Sequence, residues 1–244
     1  MGANEFVNCY EDFQRAEAYA TLEFSGTYYL AYRDLPEIIA QHVKGREAID
    51  FGCGTGRSTR FLRSCGFKVI GIDISEQMIA KAGETDPDGD YRLIRDGDFS
   101  EFQNGAYDLV LSAFTFDNIA TAQKKGTLFR GLGDLLKGEG RIINVVSSPE
   151  IYIHEWASFS TQDFPDNRFA KSGDRVQIIV TDHKDRRPVE DILCTDESYR
   201  EIYRSANLRV VSTSKPLAHG NEPYSWVNET QIAPWVIYVL KRAR

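Results

Sequence analysis

The sequence predicts an α/β fold, doubly wound, with a mostly parallel seven-stranded sheet, helices on both faces and an insertion after the fifth strand. Three observations carry that expectation. Short apolar runs alternate with segments of helical character between Glu47 and Ser147, the rhythm of right-handed strand–helix–strand crossovers. The rhythm breaks after Pro149 and resumes near the end of the chain with a helix and two β-like runs. A chain of 244 residues is somewhat longer than the smallest such domains, leaving room for one core and an inserted segment.

Element by element, Tyr10 to Phe24 has loose helical spacing, and "RDLPEIIAQHV" (33–43) reads as a second helix that starts near Pro36 and is ended by Gly45. Four strands follow: "EAIDF" (47–51), "KVIGIDI" (68–74), "YRLIRD" (91–96) and "YDLVLSAF" (107–114). A helix from about Thr55 to Cys65 is stopped by Gly66. Ser75 is placed to cap "EQMIAKAG", because its hydroxyl can accept from an unpaired N–H of the first turn. Thr121 to Leu136 is helical and ends at "KGEG", and "RIINVVS" (141–147) is the fifth strand. The insertion holds scattered aromatics and two β-like runs, "VQIIVTD" and "VEDILCT", on either side of a charged turn. Helix "DESYREIYRSA" and strands "LRVVSTS" and "WVIYVLK" complete the core. The division expected is a single domain over 1–244: an N-terminal helical lid (1–44), a ligand-binding core (45–148), an inserted flap (149–194) and a C-terminal helix with two strands (195–244).

Composition narrows the function classes. Lys plus Arg number 29 against 36 Asp plus Glu, a net charge of −7, which repels polyphosphates on average; no nucleic acid partner is expected. The run "DHKDRRP" (182–188) carries acids within it and reads as a solvated turn. No apolar stretch reaches the roughly 18 residues of a membrane span, and the N-terminus lacks a secretory pattern. Phe6 stands where myristoylation would need Ser or Thr. Cys9, Cys53, Cys65 and Cys194 show no metal-ligand spacing, so reduced thiols, a cytoplasmic location, no membrane and no metal are expected.

The chemistry-bearing stretch is "AIDFGCGTGRSTRFL" (48–62), where a strand runs into Gly52, Gly54 and Gly56 and then into a helix. Such a turn exposes backbone N–H groups and admits a ligand without a Cβ in the way. A nicotinamide-binding loop spaces its glycines G-x-G-x-x-G; here the run is G-C-G-T-G. The pattern resembles motif I of the class I S-adenosylmethionine-dependent methyltransferases, D-x-G-x-G-x-G, as Asp50, Gly52, Gly54 and Gly56. That family has a Rossmann-like sheet, and further positions fall in its register. Asp73, closing the second strand, would accept from both ribose hydroxyls. "DISEQMIAKA" places Ile74 and Met78 where the family covers the adenine. In "RDGDFSEF", Asp98 would accept from the adenine amino group and Phe99 offer its N–H, Asp98 being equally suited to an Asx turn. Phe114 stands at the end of the fourth strand, which matches F/Y-D-x-V-x-S.

The resemblance implies a small-molecule methyltransferase using S-adenosyl-L-methionine and acting on N or O of a planar heterocyclic acceptor. Small-molecule members hold the methionyl end with an N-terminal aromatic and an arginine, carried over to Tyr28 and Arg33, with Arg57 a rival for the same carboxylate. "GTYYLAYRDLP" and "PEIYIHEWASF" are also distantly similar to the N-methyltransferases of azapteridine toxin biosynthesis. His154 is a candidate general base, and Asp117 with Asn118, just beyond the fourth strand, are alternative positioning groups. Trp156, Tyr224 and Trp226 are candidates for an aromatic acceptor site, or for a cluster that holds the flap down. DNA amino-methyltransferases place Asn/Asp-Pro-Pro-aromatic after strand four; Ser112, Ala113, Phe114 and Thr115 stand here instead. An NAD(P)-dependent dehydrogenase and a non-catalytic S-adenosylmethionine-binding protein remain the alternatives.

Overall fold

The computed structural model describes residues 24–182 and 185–243. All but the last residue of the helix expected over Tyr10 to Phe24, the residue Cys9 and part of the 182–188 turn therefore lie outside the described residues. Two short helices come first, α1 (Thr27–Arg33) and α2 (Leu35–His42). Pro36 sits in the first turn of α2, where a missing N–H costs nothing.

The core alternates β1 (Glu47–Phe51), α3 (Arg57–Ser64), β2 (Lys68–Asp73), α4 (Glu76–Thr85), β3 (Asp90–Leu93), β4 (Tyr107–Ala113), α5 (Ala122–Leu135) and β5 (Leu136–Ser147). Ser75 caps α4, its hydroxyl accepting from Met78 N–H at 3.3 Å. Three short strands follow, β6 (Phe159–Ser160), β7 (Arg175–Val180) and β8 (Val189–Ile192), then α6 (Asp196–Ser205), β9 (Leu208–Ser214) and β10 (Trp235–Arg242).

The main sheet has seven strands in the order β3-β2-β1-β4-β5-β10-β9, and β10 alone runs against its neighbours. Strands β6, β7 and β8 form a separate antiparallel sheet. Helices α1 to α3 and the small sheet bury one face of the main sheet, through Leu30, Leu35, Leu62, Val176 and Ile178. Helices α5 and α6 bury the other, through Phe129, Leu132, Tyr199 and Tyr203. Chain order reverses between β1 and β4, whose neighbours lie on opposite sides, so their carboxyl ends open a crevice of the kind that takes ligands in such sheets.

Two boundaries differ from expectation. Strand β5 begins at Leu136 and absorbs the "KGEG" expected to end a helix: Leu136 pairs with Tyr107, and Lys137 Nζ binds Asp108 at 2.8 Å. Leu136 and Arg141 pair with Tyr107 and Leu109, and the four residues between them bulge out of register opposite Asp108. Strand β3 ends at Leu93, with Ile94 N–H still donating to Asp73.

The insertion is tied to the N-terminal helices by buried polar groups. Thr27 and Ser158 exchange hydrogen bonds, Thr27 N–H to Ser158 Oγ at 2.9 Å and Ser158 N–H to Thr27 Oγ1 at 3.0 Å. Glu229, fully buried, accepts from Thr27 Oγ1, Ala157 N–H and Val227 N–H at 2.7, 2.7 and 2.8 Å. Three segments distant in sequence thus share one carboxylate, whose buried charge is satisfied by donors.

Candidate functional site

The loop from β1 to α3 is backbone that suits glycine. Gly52, Gly54 and Gly56 have φ of +71°, +53° and +83°, the left-handed region that costs an L-residue about 1–2 kcal/mol. A Cβ on Gly52 would lie 2.2 Å from Thr115 Oγ1, and one on Gly56 2.4 Å from the Tyr91 hydroxyl. A Cβ on Gly54 would meet nothing within 4 Å, so that bare peptide faces open space.

Two carboxylates brace the loop. Asp50, fully buried, accepts at Oδ2 from Ser58 Oγ at 2.7 Å and Thr59 Oγ1 at 2.6 Å, while Oδ1 has no partner among the described residues. Burial raises its carboxyl to about 6, against the pull of those hydroxyls. Asp73, at the end of β2, accepts from Gly54 N–H at Oδ2 and Ser75 N–H at Oδ1, both at 2.9 Å. Burial raises its proton affinity and these N–H groups oppose the shift. Each oxygen keeps a further lone pair for a ligand hydroxyl.

Gly52, Gly54 and Asp73 line a cavity of about 180 Å³. Gly54, Asp73 and Arg57 supply its polar side, and Ile74, Met78, Ile94 and Leu128 its apolar side. The Arg57 guanidinium lies 4.7 Å from the Tyr28 ring centre and 5.6 Å from that of Tyr32. Cations over aromatic faces are held by the ring quadrupole.

A second cavity, about 60 Å³, adjoins the first: Arg57, Phe114 and Asn118 line both. Its aromatic walls are Tyr28, Phe159 and Trp235, and its polar groups include Asp117, Tyr152 and Asp191. Phe114 reaches this junction from a backbone at φ +66°, an uncommon conformation for a bulky residue. Asp117 accepts from Ser147 N–H at 3.0 Å and Tyr199 OH at 3.3 Å. Burial raises its proton affinity, opposed first by the nearby Lys125 ammonium. Lys125 is itself buried, donates to the Phe116 carbonyl and has its own affinity lowered by desolvation. Asp191 accepts from Tyr152 OH at 3.0 Å; burial, and next the Asp117 charge, push its carboxyl up to about 7.

The structure gathers many of the residues singled out in the sequence. Gly52, Gly54, Asp73, Ile74, Met78 and Phe114 line the first cavity, Tyr28 and Asp117 the second, while Asp50 and Gly56 shape the loop from behind. Others are held elsewhere. Arg33 is committed to Asp34 at 2.7 Å and Glu222 at 3.0 Å, and Arg57 occupies the position between the cavities. Asp98 is exposed and accepts from Ser100 N–H at 3.0 Å, the Asx turn. Phe99 packs on Phe51, ring centres 5.9 Å apart. The chain turns at Gly97, φ +78°, and Asp96 is the acid in the cavity wall.

His154 Nε2 lies 3.1 Å from Glu150, outside both cavity walls. Trp156 is buried, its indole donating to the Ile151 carbonyl at 2.9 Å. Tyr224 and Trp226 pack on each other, with Tyr224 against Tyr29. These three aromatics fasten the insertion and C-terminal segment. Sequence reasoning did not single out Tyr32, Asp96, Lys125, Tyr152 or Asp191. For Asp191 a signal was present: strand alternation puts it on the face of Val189, so an acid points into an apolar layer.

Residues 49–144 match the family of the methyltransferase domain. Over that stretch the chain is similar to a methyltransferase domain. An uncharacterized methyltransferase of Geobacillus sp. (strain WCH70) is 35% identical over 114 residues, 46% of this chain and 52% of that one. A Dictyostelium discoideum protein named "Probable 18S rRNA (guanine-N(7))-methyltransferase" is 28% identical over 43% of this chain and 39% of its own. The chain spans about half the length of the curated relatives it matches. A crystal structure of an S-adenosylmethionine-dependent methyltransferase from Clostridium acetobutylicum shares the fold, with a TM-score of 0.64 at 15% identity over 97% of this chain and 100% of that one. The family's cofactor is S-adenosylmethionine, and the first cavity fits it. The bare peptide at Gly54 opens on the space, and a carboxylate with spare lone pairs lies beside an apolar wall.

Proposed function

We propose that this methyltransferase domain transfers a methyl group to nitrogen or oxygen of a small, planar acceptor held in the second cavity. The observation that carries this reading is the junction of the two cavities at Arg57, Phe114 and Asn118. S-adenosylmethionine supplies a methyl already activated on a sulfonium. The residues of the chain would bind, orient and exclude water. Asp73 would receive ribose hydroxyls, and Ile74 and Met78 would cover the adenine. Arg57 would pair with the methionyl carboxylate. The aromatic walls would hold the acceptor against the junction, and alignment of that kind is worth about 7–11 kcal/mol of barrier.

In this reading the segment up to residue 44 and the 149–194 insertion close the acceptor side over the 45–148 core, supported by their seam at Thr27, Ser158 and Glu229. The second cavity, walled by Tyr28, Phe159 and Trp235, supports an enzyme over a non-catalytic binder, which needs no acceptor space. A cytoplasmic site of action belongs to the reading, supported by free thiols at Cys53, Cys65 and Cys194. The name of the Dictyostelium relative supplies the competing acceptor, RNA. Transfer of label from methyl-tritiated S-adenosylmethionine to a panel of planar metabolites and to ribosomal RNA tests this. The proposal expects a small product, and label found in RNA alone would overturn it.

A further inference from the structure

The second cavity offers a carboxylate oxygen whose partner is missing among the described residues, and two of its donors are already engaged. Asp191 is 7% exposed and uses Oδ2 for Tyr152; its Oδ1 accepts from no described residue. Asn118, which lines both cavities, has an Oδ1 without a partner among the described residues, but that oxygen is closed off from solvent. The Asn118 amide nitrogen donates to the Phe114 carbonyl at 3.3 Å, which fixes which end is oxygen. Among the donors of this cavity, Tyr152 OH goes to Asp191 and Trp235 Nε1 goes to the Thr27 carbonyl at 2.7 Å. A ligand that completes the wall must bring hydrogens, since buried acceptors left unpaired cost free energy.

Resting on the reading of this cavity as the acceptor site, we infer that the methyl acceptor is a small molecule bearing an amino group, an N–H donated to Asp191 Oδ1, with Asp191 as the catalytic base. The amino nitrogen attacks in its neutral form. Its lone pair forms the new N–CH₃ bond as the S–CH₃ bond breaks, and that electron pair stays on sulfur, turning sulfonium into thioether. The nitrogen, now cationic, loses one N–H proton to Asp191, which returns it to solvent after product leaves.

The paired carboxylates favour positive charge growing on nitrogen and disfavour a carboxylate acceptor. Their roles divide by environment. Asp117 is anchored by Ser147 and Tyr199 and faces the Lys125 ammonium; it acts as a positioning residue whose charge raises the basicity of Asp191. The groups facing Asp191 are Tyr152 after β5, Asp117 on the turn after β4, Lys125 on α5, Glu190 on its own strand and Arg57 across the cavity. On β7 the residue opposite is Val176, and Arg175 pairs with Glu190 at 3.3 Å.

The test uses the full chain loaded with S-adenosylhomocysteine and three one-ring probes, aniline, phenol and benzoate, titrated by calorimetry from pH 5 to 9. The inference expects aniline to bind, phenol to bind about 10-fold more weakly, and benzoate not to bind. Aniline affinity should rise as Asp191 loses its proton near neutrality. Asp191→Asn should weaken aniline about 10-fold and flatten that profile, and Asp117→Asn should move the midpoint to lower pH. Phenol or benzoate binding at least as tightly as aniline, a flat profile in the unmodified chain, or aniline binding indifferent to Asp191→Asn would overturn the inference and leave the methyltransferase reading intact. Binding of none of the probes to the loaded protein would overturn both. The selectivity and pH profile of the unmodified chain decide the matter even where a variant does not fold.

Discussion

Replacing Gly54 by alanine separates what the glycine loop does for the fold from what it does for a ligand. The backbone there has φ +53°, and the added Cβ meets no protein atom within 4 Å. The stability cost is therefore the left-handed penalty alone, about 1–2 kcal/mol, or roughly 2–8 °C in Tm for a domain of this size. Gly66, closing α3, is the matched control: φ +84°, nothing within 4 Å of its Cβ, and no place in either cavity wall. The two variants should melt alike. Their binding should part, because the Gly54 methyl projects into the first cavity, where the ligand would lie against bare peptide. Losing that close approach and one hydrogen bond between ligand and loop is worth about 3 kcal/mol, or roughly 100-fold in Kd. Circular dichroism melts and calorimetry with S-adenosylhomocysteine measure both quantities. Equal Kd values for Gly54→Ala and Gly66→Ala would refute the idea that bare backbone at Gly54 receives the ligand.

Other perturbations follow from the same geometry. Arg57→Ala should raise the Kd for S-adenosylhomocysteine about 10-fold or more, whereas Arg33→Ala, whose guanidinium serves Asp34 and Glu222, should leave it within about 2-fold; titration of the two side by side checks the assignment. Glu229→Ala removes the acceptor of Thr27, Ala157 and Val227 and should cost about 3–5 kcal/mol of unfolding free energy, read from urea denaturation. Asp50 binds its proton more tightly when folded, about 6 against an ordinary 3.8. Its contribution is thus fully present below pH 3.8 and lost as pH rises through 6, a loss of about 3 kcal/mol. Asp50→Asn should flatten the decline in stability between pH 4 and 7, and an unchanged slope in denaturation midpoints would show that Asp50 ionises in the fold without penalty.

The seven strands and the glycine loop were legible because each rests on local pattern: apolar runs of the right length, glycine at positive φ, a serine cap at Ser75. Boundaries were less so. The "KGEG" run reads as a helix stop, yet pairing of its flanking residues Leu136 and Arg141 with β4 carries it into β5 as an irregularity, a long-range preference that propensity does not carry. Site residues divide along the same line. Gly54 and Asp73 sit at fixed offsets from β1 and β2, so the ligand they face could be argued from spacing. Arg33 and Arg57 could not be told apart that way, because the partners of Arg33 include Glu222, 189 positions on. Asp191 reaches Asp117 only through folding of the insertion, and the sequence offered no more than an acid in an inward strand position.

Central to the proposed methyl transfer is a first cavity that would hold adenosine and a methionyl tail, with Asp73 on the sugar. Calorimetric titration with S-adenosylhomocysteine measures this directly. It should give one binding site, with affinity reduced at least about 10-fold by Asp73→Ala; no binding heat with S-adenosylhomocysteine or S-adenosylmethionine, or an affinity untouched by that substitution, would contradict it.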